Sequence, residues 1–240
     1  MNHTFELKIP KTLRNVRLNQ WVKFIDVYEK NKDSEDGDFL NRKMIEIFCE
    51  ISMQDIYKIP ISSFSSVLSH LTTILEAKTP LIRTFKLIGT DDVEVNFGLI
   101  PNLDKMSYGE WEDLESYIYN TKDLHKAMAV LYRPISYPKT FKEGDRYRIH
   151  EYRGSDSYSD IMRDMPTDVA IGAKVFFYRL AKKLGDYTIA STLKQFQKEQ
   201  EGNLSKDSVE NGEVIKRYMS SLEEMSQKLN KSPLFQSMNV

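Results

Sequence analysis

The chain has 240 residues, of which 40% are hydrophobic and 29% are charged. These are the values of an ordinary folded domain, so they exclude a wholly disordered or collagen-like chain. Lysine and arginine number 34 against 35 aspartates and glutamates, which gives a net charge of −1. This balance argues against a protein that coats DNA, since such a protein carries a clear basic excess.

The amino terminus and the single cysteine indicate the kind of cellular compartment in which the protein is expected to act. The first ten residues lack the basic and apolar regions of a secretory signal, and no apolar run reaches the ~18 residues of a membrane helix. Cys49 is the only cysteine, so no intrachain disulfide can form and a reducing compartment fits best. Its place in the apolar stripe of a predicted helix favours a buried thiol over a reactive one. We therefore expect no membrane contact.

Apolar residues recur at spacings of three and four along the first third of the chain, which predicts helices. A polar loop at 31–38 separates the first two of them, and Pro60 ends a short one. The predicted elements are an extended segment at 5–9, helices at 18–28 and 40–51, a short helix capped by Ser52, and a long helix at 67–75 that follows the serine cluster 62–66.

A change in composition after Pro80 predicts a β-hairpin near residues 82–98, with a turn rich in glycine and aspartate. Ser107 and Glu110 then form the pattern of a capping box. The helix that follows has an apolar stripe through Trp111, Leu114, Tyr117 and Ile118. Its four acidic residues are expected to face solvent at the positive end of the helix. They are Glu110, Glu112, Asp113 and Glu115.

The second half predicts further helices and one long loop. Asp123 is placed to cap a helix that Pro134 ends, and the stretch 136–153 is predicted to be a loop with one strand at 147–152. A short helix at 157–165, a longer helix at 167–184 that starts after Pro166, and a helical piece at 187–197 complete the predicted elements.

The predicted fold is mainly α with a minor β component: a multi-helix domain with a small β-hairpin insertion and a C-terminal helical arm. The predicted domain covers residues 1–198, a polar linker covers 199–213, and the C-terminal helix and tail cover 214–240. Most of the thirteen tyrosines, twelve phenylalanines and two tryptophans are expected to fill the core.

The C-terminal helix has a thin apolar face and little within its own segment to pack on. Isolated helices of this length are marginal in water, so we expect it to dock in a groove of a partner or a neighbouring subunit. Docking onto its own domain is the alternative, and the pattern leaves both open. The candidate partner-binding residues are Tyr218, Met219, Leu222, Met225, Leu229, Leu234 and Phe235.

No pattern of catalysis or cofactor binding is found. The four histidines have no metal-ligand spacing, and the phosphate-binding glycine loops and the nucleophile elbow are missing. We therefore predict that the protein is not an enzyme and takes no metal, cofactor or small-molecule substrate.

Two basic clusters are the only candidates for nucleic-acid contact. One consists of Lys11, Arg14 and Arg17, and the other of Arg146, Arg148 and Arg153 with interleaved tyrosines. Aromatic side chains between cations suit base stacking, so the second cluster is a candidate weak nucleic-acid contact. Acidic residues dilute it, and nucleic-acid binding is not the expected function.

Four stretches together resemble a family of tailed-bacteriophage morphogenesis proteins. They are Leu18-Asn-Gln-Trp21 with the later segment Ile59-Pro-Ile-Ser-Ser-Phe64, then Met106-Ser-Tyr-Gly-Glu-Trp-Glu-Asp-Leu-Glu115, Leu124-His-Lys-Ala-Met-Ala-Val-Leu-Tyr-Arg-Pro134, and Met165-Pro166 leading into residues 170–178. Asn19 stands where the first motif of that family has glycine, so that match is partial.

The resemblance implies a small helical, non-catalytic factor of the tail or portal-vertex region, as a virion component or an assembly chaperone. Its partners would be tail or portal and neck proteins, or further copies of itself. It would act in the host cytoplasm during assembly or stay in the virion. The alternative is a phage-encoded nucleic-acid-binding or host-regulating protein.

Overall fold

A computed structural model describes residues 7–32, 37–89, 93–136 and 147–180. The chain divides into two units, 1–173 and 174–240, and of the second the structure describes residues 174–180. The fold is mainly α with one small antiparallel sheet, so the predicted fold class is confirmed. The predicted linker and the C-terminal helix and tail lie outside the described residues.

The first part of the chain is helical. Helices α1 and α2 pack together through an aromatic contact, in which the ring centroids of Phe24 and Phe48 are 5.1 Å apart. The hydroxyl of Ser52 accepts the Asp55 N–H at 3.2 Å, which confirms the predicted cap of α3. The helices are α1 (Leu18–Asn31), α2 (Gly37–Phe48), α3 (Met53–Ile56) and α4 (Ile61–Leu75).

The start of α4 differs from the prediction. The helix begins at Ile61, so the serine cluster 62–66 lies inside it and not before it. Serine tolerates this position when its hydroxyl bonds to the carbonyl one turn back, and the Ser66 hydroxyl donates to the Ser62 carbonyl at 2.9 Å. Ahead of α1, residues 7–10 form neither helix nor strand, and His70 Nε2 lies 2.9 Å from the Pro10 carbonyl oxygen. That contact joins this segment to α4.

The predicted hairpin forms one half of a four-stranded antiparallel sheet in the order β1-β2-β3-β4. The predicted strand at 147–152 is present, but only as two residues. Strand β3 was not predicted, since Tyr132 was expected in a helix. Pro134 contributes to this difference, because proline disfavours helical backbone in the residue before it, Arg133. The strands are β1 (Thr84–Ile88), β2 (Glu94–Leu99), β3 (Tyr132–Ser136) and β4 (Arg148–Ile149).

Helices α5 (Tyr108–Ile118) and α6 (Leu124–Leu131) pack against each other beside this sheet. Every residue of α6 except Lys126 is buried, and β3 follows α6 directly. Tyr132 is the first residue of β3 and is fully buried, with its hydroxyl donating to the Ile82 carbonyl at 2.7 Å. The α6–β3 segment is therefore the centre of this part of the core.

The remaining turns refine two predictions. Asp123 precedes α6, but its side chain makes no capping hydrogen bond, and Asn120 instead caps a short 3-10 turn there. Two further 3-10 turns, Ser155–Ser157 and Ile161–Asp164, stand where a short helix was predicted. Residues 167–180 form helix α7 after Pro166, as predicted, and its predicted continuation lies outside the described residues.

Cys49 is buried and burial raises the pKa of its thiol to about 11, so it is a core residue as expected.

We expect Gly172 to be required in α7. A Cβ at this position would lie 2.2 Å from the Pro80 carbonyl oxygen, which belongs to the backbone. Gly172→Ala should therefore lower the free energy of unfolding by about 1–3 kcal/mol. Gly109→Ala in α5 is the control, because no described residue outside its own helix turn lies within 4 Å of that Cβ and alanine favours helix by up to ~1 kcal/mol. Urea unfolding measures both, and a Gly172→Ala chain as stable as wild type would contradict the expectation.

A second expectation concerns the buried His125 of α6. Its Nε2 atom has no hydrogen-bond partner among the described residues. Burial first, and then the charge of Arg163, lower its pKa from the ordinary value of 6.5. The folded chain therefore favours the neutral ring, and this contribution to stability is complete above the unfolded pKa.

The free energy of unfolding should decline as the pH falls below about 6.5, with a slope from this group of at most about 1.4 kcal/mol per pH unit. His125→Leu should remove that slope whatever it does to the absolute stability. His150→Gln, at an exposed histidine, should retain it. Urea unfolding over a series of pH values measures the slope, and an unchanged slope in His125→Leu would show that another group causes it.

Candidate protein-binding site

The residues named as candidates from the sequence are only partly described. All seven candidate partner-binding residues of the arm, from Tyr218 to Phe235, lie outside the described residues, and so does Arg146. Arg148 is exposed on β4, and Arg153 is exposed in the segment after it. In the first basic cluster, carboxylates already pair with two of the three cations. Arg14 lies 3.3 Å from Asp168, and Arg17 pairs with Glu50.

Helix α5 presents an exposed surface that combines aromatic and acidic side chains. The side chain of Tyr108 is 80% exposed and that of Trp111 is 46% exposed. Glu112 and Glu115 are also exposed. Residues at these spacings of three, four and seven share one side of a helix. We call this set of four residues the α5 face.

The exposure of Trp111 corrects the predicted stripe. Leu114 and Ile118 are buried as predicted, whereas Trp111 lies at the boundary between the buried side and solvent. The sequence contains a signal for this position, because Trp111 falls between the direction of Ile118 and that of Tyr108 on a helical projection. Aromatic residues at such a boundary are typical of contact surfaces.

The first turn of α5 is fixed by the capping box that the sequence predicts. The Ser107 hydroxyl accepts the Glu110 N–H at 3.3 Å, and the Ser107 N–H donates to Glu110 Oε2 at 2.6 Å. The Ser107 hydroxyl also donates to the same oxygen at 2.7 Å. These bonds satisfy helix N–H groups that would otherwise lack partners.

Glu110 itself is not at the surface, which corrects the expectation that all four acidic residues face solvent. It is 6% exposed, and its Oε1 lies 2.5 Å from Nη1 of Arg133, which is 5% exposed. The physical reason is the position of Arg133 on β3, where a buried guanidinium needs a carboxylate close by. Glu112 and Glu115 are exposed as expected, and Asp113 is half-buried.

A second contact continues this buried network from β3 to α5. The guanidinium carbon of Arg133 lies 5.4 Å from the centre of the Tyr152 ring, a cation–π geometry. The Tyr152 hydroxyl donates a hydrogen bond to Asp113 on α5. Burial first, and then this hydrogen bond, raise the pKa of Tyr152. Arg133 thus contacts Glu110, which lies on α5, and Tyr152, which is hydrogen-bonded to Asp113 of α5.

The electrostatics favour a structural carboxylate at Glu110. Burial alone would raise its pKa, but the Ser107 N–H and hydroxyl and the Arg133 guanidinium outweigh that effect and lower it. Glu110 is therefore ionised and engaged on both oxygens, which leaves it unsuited to take a proton from a substrate. The arrangement holds α5 in one orientation and points the α5 face away from the core.

Comparison with protein-family models, with curated proteins and with solved structures finds no match. Over the described residues, no helix combines the length and the apolar character needed to cross a membrane. In the same part of the chain, no group of three or more His, Cys, Asp or Glu side chains could hold a metal ion.

We expect the ion pair to contribute strongly to stability. Glu110→Gln retains an acceptor for the capping box but removes the charge, so it leaves the Arg133 guanidinium buried without a counter-charge. The expected loss is about 3–5 kcal/mol in the free energy of unfolding. Ser107→Ala should cost about 1 kcal/mol, the usual effect of a lost cap.

Glu112→Gln, two residues further along the same helix and exposed to solvent, is the matched control and should change stability by less than about 0.5 kcal/mol. Chemical unfolding followed by circular dichroism measures all three variants. Equal effects of Glu110→Gln and Glu112→Gln would refute a structural role for the pair.

Proposed function

We propose that the chain is a non-catalytic tailed-phage morphogenesis protein that acts by protein–protein contacts. It serves as a virion component or as an assembly chaperone of the tail or portal-vertex region. The phage assignment rests on the resemblance of the four sequence stretches. The mode of action is supported by the α5 face.

The observation that carries this proposal is a pair of exposed aromatic side chains on a rigidly held helix. Tryptophan and tyrosine are enriched among the residues that dominate binding energy at protein interfaces. Tyr108 and Trp111 lie one turn apart on the outside of α5. Because the buried network behind them already fixes the helix, binding requires little further ordering of the backbone.

Two of the resembling stretches supply the parts of this site. The stretch 106–115 contains the capping box and the whole α5 face, and the stretch 124–134 contains α6 and Arg133. The contact between Glu110 and Arg133 therefore joins the two stretches. This arrangement supports a shared role for them in presenting one surface.

The second candidate is a phage-encoded nucleic-acid-binding or host-regulating protein. The observation in its favour is the exposure of Arg148 and Arg153. The carboxylates paired with Arg14 and Arg17, and the net charge of −1, favour protein contacts instead. The two candidates differ in salt dependence, because nucleic-acid binding weakens steeply as salt rises.

We expect Trp111→Ala and Tyr108→Ala to impair particle assembly without unfolding the chain. Loss of an interface anchor costs about 2 kcal/mol or more, which is roughly a thirtyfold loss of affinity. The variants are introduced into the phage genome that encodes the chain, and the titre and particle morphology are measured. The titre should fall at least about tenfold, with a thermal midpoint within a few degrees of wild type.

Tyr57→Ala is the matched control, because Tyr57 is a comparably exposed tyrosine on another element. Its titre should equal that of wild type. A normal titre for the α5 variants would contradict the proposal, and so would a genome in which the flanking genes are not virion genes. Mass spectrometry of purified particles then separates a virion component from a chaperone that departs. Salt-sensitive retention on DNA that Arg148→Ala and Arg153→Ala abolish would favour the second candidate.

A further inference from the structure

A cleft of about 480 Å³ opens beside residues 8–11, ahead of α1. The buried ring of Phe48 and the partly exposed Ile9 give it apolar surface. The exposed side chains of Lys8, Lys11 and Arg17 give it three positive charges, against the single carboxylate of Glu50. We call it the basic cleft.

The cations of the basic cleft differ in how they are engaged. Lys8 and Lys11 form no ion pair with any residue that the structure describes. Arg17 pairs with Glu50, and its Nη1 also lies 3.9 Å from Asp164. All three side chains are exposed, so their charges are open to a partner from solvent.

Glu50 has an unusual backbone that bears on this cleft. Its φ is +55°, the left-handed region, where a glycine would be less strained. Its carboxylate accepts from Arg17 and from the Gln20 amide, and that amide also donates to the Ile47 carbonyl at 3.0 Å. Strained residues of this kind persist where the surroundings hold them. Here the Glu50 carboxylate contacts Arg17 at the wall of the cleft.

The α5 face and the basic cleft are complementary in both charge and polarity. The α5 face carries two carboxylates beside two aromatic rings, and the basic cleft carries three cations beside apolar surface. The carboxylates suit the lysines, and the rings suit both the apolar surface and the cations, which attract aromatic faces. A volume within the ~300–1,000 Å³ of ordinary binding pockets accommodates a ring of this size.

We propose that the α5 face of one copy docks in the basic cleft of a second copy, so that the chain self-associates head to tail. This inference rests on the proposed role of the α5 face as a protein-binding surface. The two surfaces are different parts of one chain, so each bound copy leaves one surface of each kind unoccupied. Such a contact repeats, and it builds a closed ring or an open filament.

Charge reversal tests this pairing on the full-length chain. Lys8→Glu with Lys11→Glu reverses the basic cleft, and Glu112→Lys with Glu115→Lys reverses the α5 face. Each double variant alone places like charges on both surfaces, so its self-association should weaken about tenfold or more. An equimolar mixture of the two double variants should associate again, because each reversed surface then meets its opposite in the other chain.

Sedimentation velocity over a range of concentrations, at low and at high salt, measures the association. Lys23→Glu with Lys78→Glu is the matched control for the cleft variant, because it lowers the net charge by the same amount at exposed lysines outside the basic cleft. Circular dichroism confirms that each variant is folded. We expect the wild type and the control to associate, and to associate more weakly at high salt. Neither double variant should associate well by itself, whereas their equimolar mixture should.

Three results would overturn the inference: a wild-type chain that stays monomeric at low salt, a control as impaired as the reversed variants, or a mixture that does not recover. If the wild type is monomeric while Trp111→Ala still blocks particle assembly, the self-association fails and the proposed function stands. If the mixture recovers while Trp111→Ala assembles normal particles, the proposed function fails and the self-association stands. Salt-sensitive DNA retention that Lys8→Glu with Lys11→Glu abolishes would assign the basic cleft to nucleic acid.

Discussion

The buried ion pair between Glu110 and Arg133 is the constraint on which the arrangement of α5, the sheet and the exposed α5 face depends. Two charges removed from water must satisfy each other closely, because an unpaired buried charge costs several kcal/mol. Their contact at 2.5 Å joins α5 to β3. Leu114 and Ile118 of α5 face the core, and Tyr108 faces solvent.

The position of Arg133 in turn depends on how α6 becomes β3. The helix ends at Leu131 and the strand begins at Tyr132, with no loop between them. Pro134 favours the change from helix to strand because it disfavours helical backbone in the residue before it. Its carbonyl oxygen accepts a hydrogen bond at 3.0 Å from the N–H of His150, the residue after β4. The buried α6–β3 segment therefore carries Arg133 to a place where the capped start of α5 can reach it.

Local signals predict much of this fold, and contacts between distant residues account for the rest. Periodic apolar residues predict α1 and α2, Ser52 and Ser107 mark helix starts through their own hydrogen bonds, and the turn composition predicts the β1–β2 hairpin. Strand β3 is short and follows α6 without turn residues, so the one local signal is Pro134, which ends the helix but does not show that a strand begins at Tyr132. The burial of Glu110 could not be predicted for the same reason, because its partner lies on that unpredicted strand. The sequence indicates only part of the basic cleft, because Lys11 and Arg17 belong to a basic cluster that is evident from the sequence. Lys8 was not in that cluster, and Glu50 comes to the cleft only when the chain folds.

Two of the ion pairs, the buried pair of Glu110 with Arg133 and the exposed pair of Arg17 with Glu50, suit different tasks. The pair of Glu110 and Arg133 is shielded from water, so breaking it leaves an uncompensated charge and the pair acts as a fixed structural element. The pair of Arg17 and Glu50 is about half exposed on both side chains, and such pairs contribute at most about 1 kcal/mol. Arg17 can therefore exchange Glu50 for an incoming carboxylate at small cost, with water solvating the glutamate that is released. An acidic and aromatic surface on a helix held by a buried pair, and a basic cleft whose carboxylate exchanges at small cost, suit the reversible contact between copies that we propose.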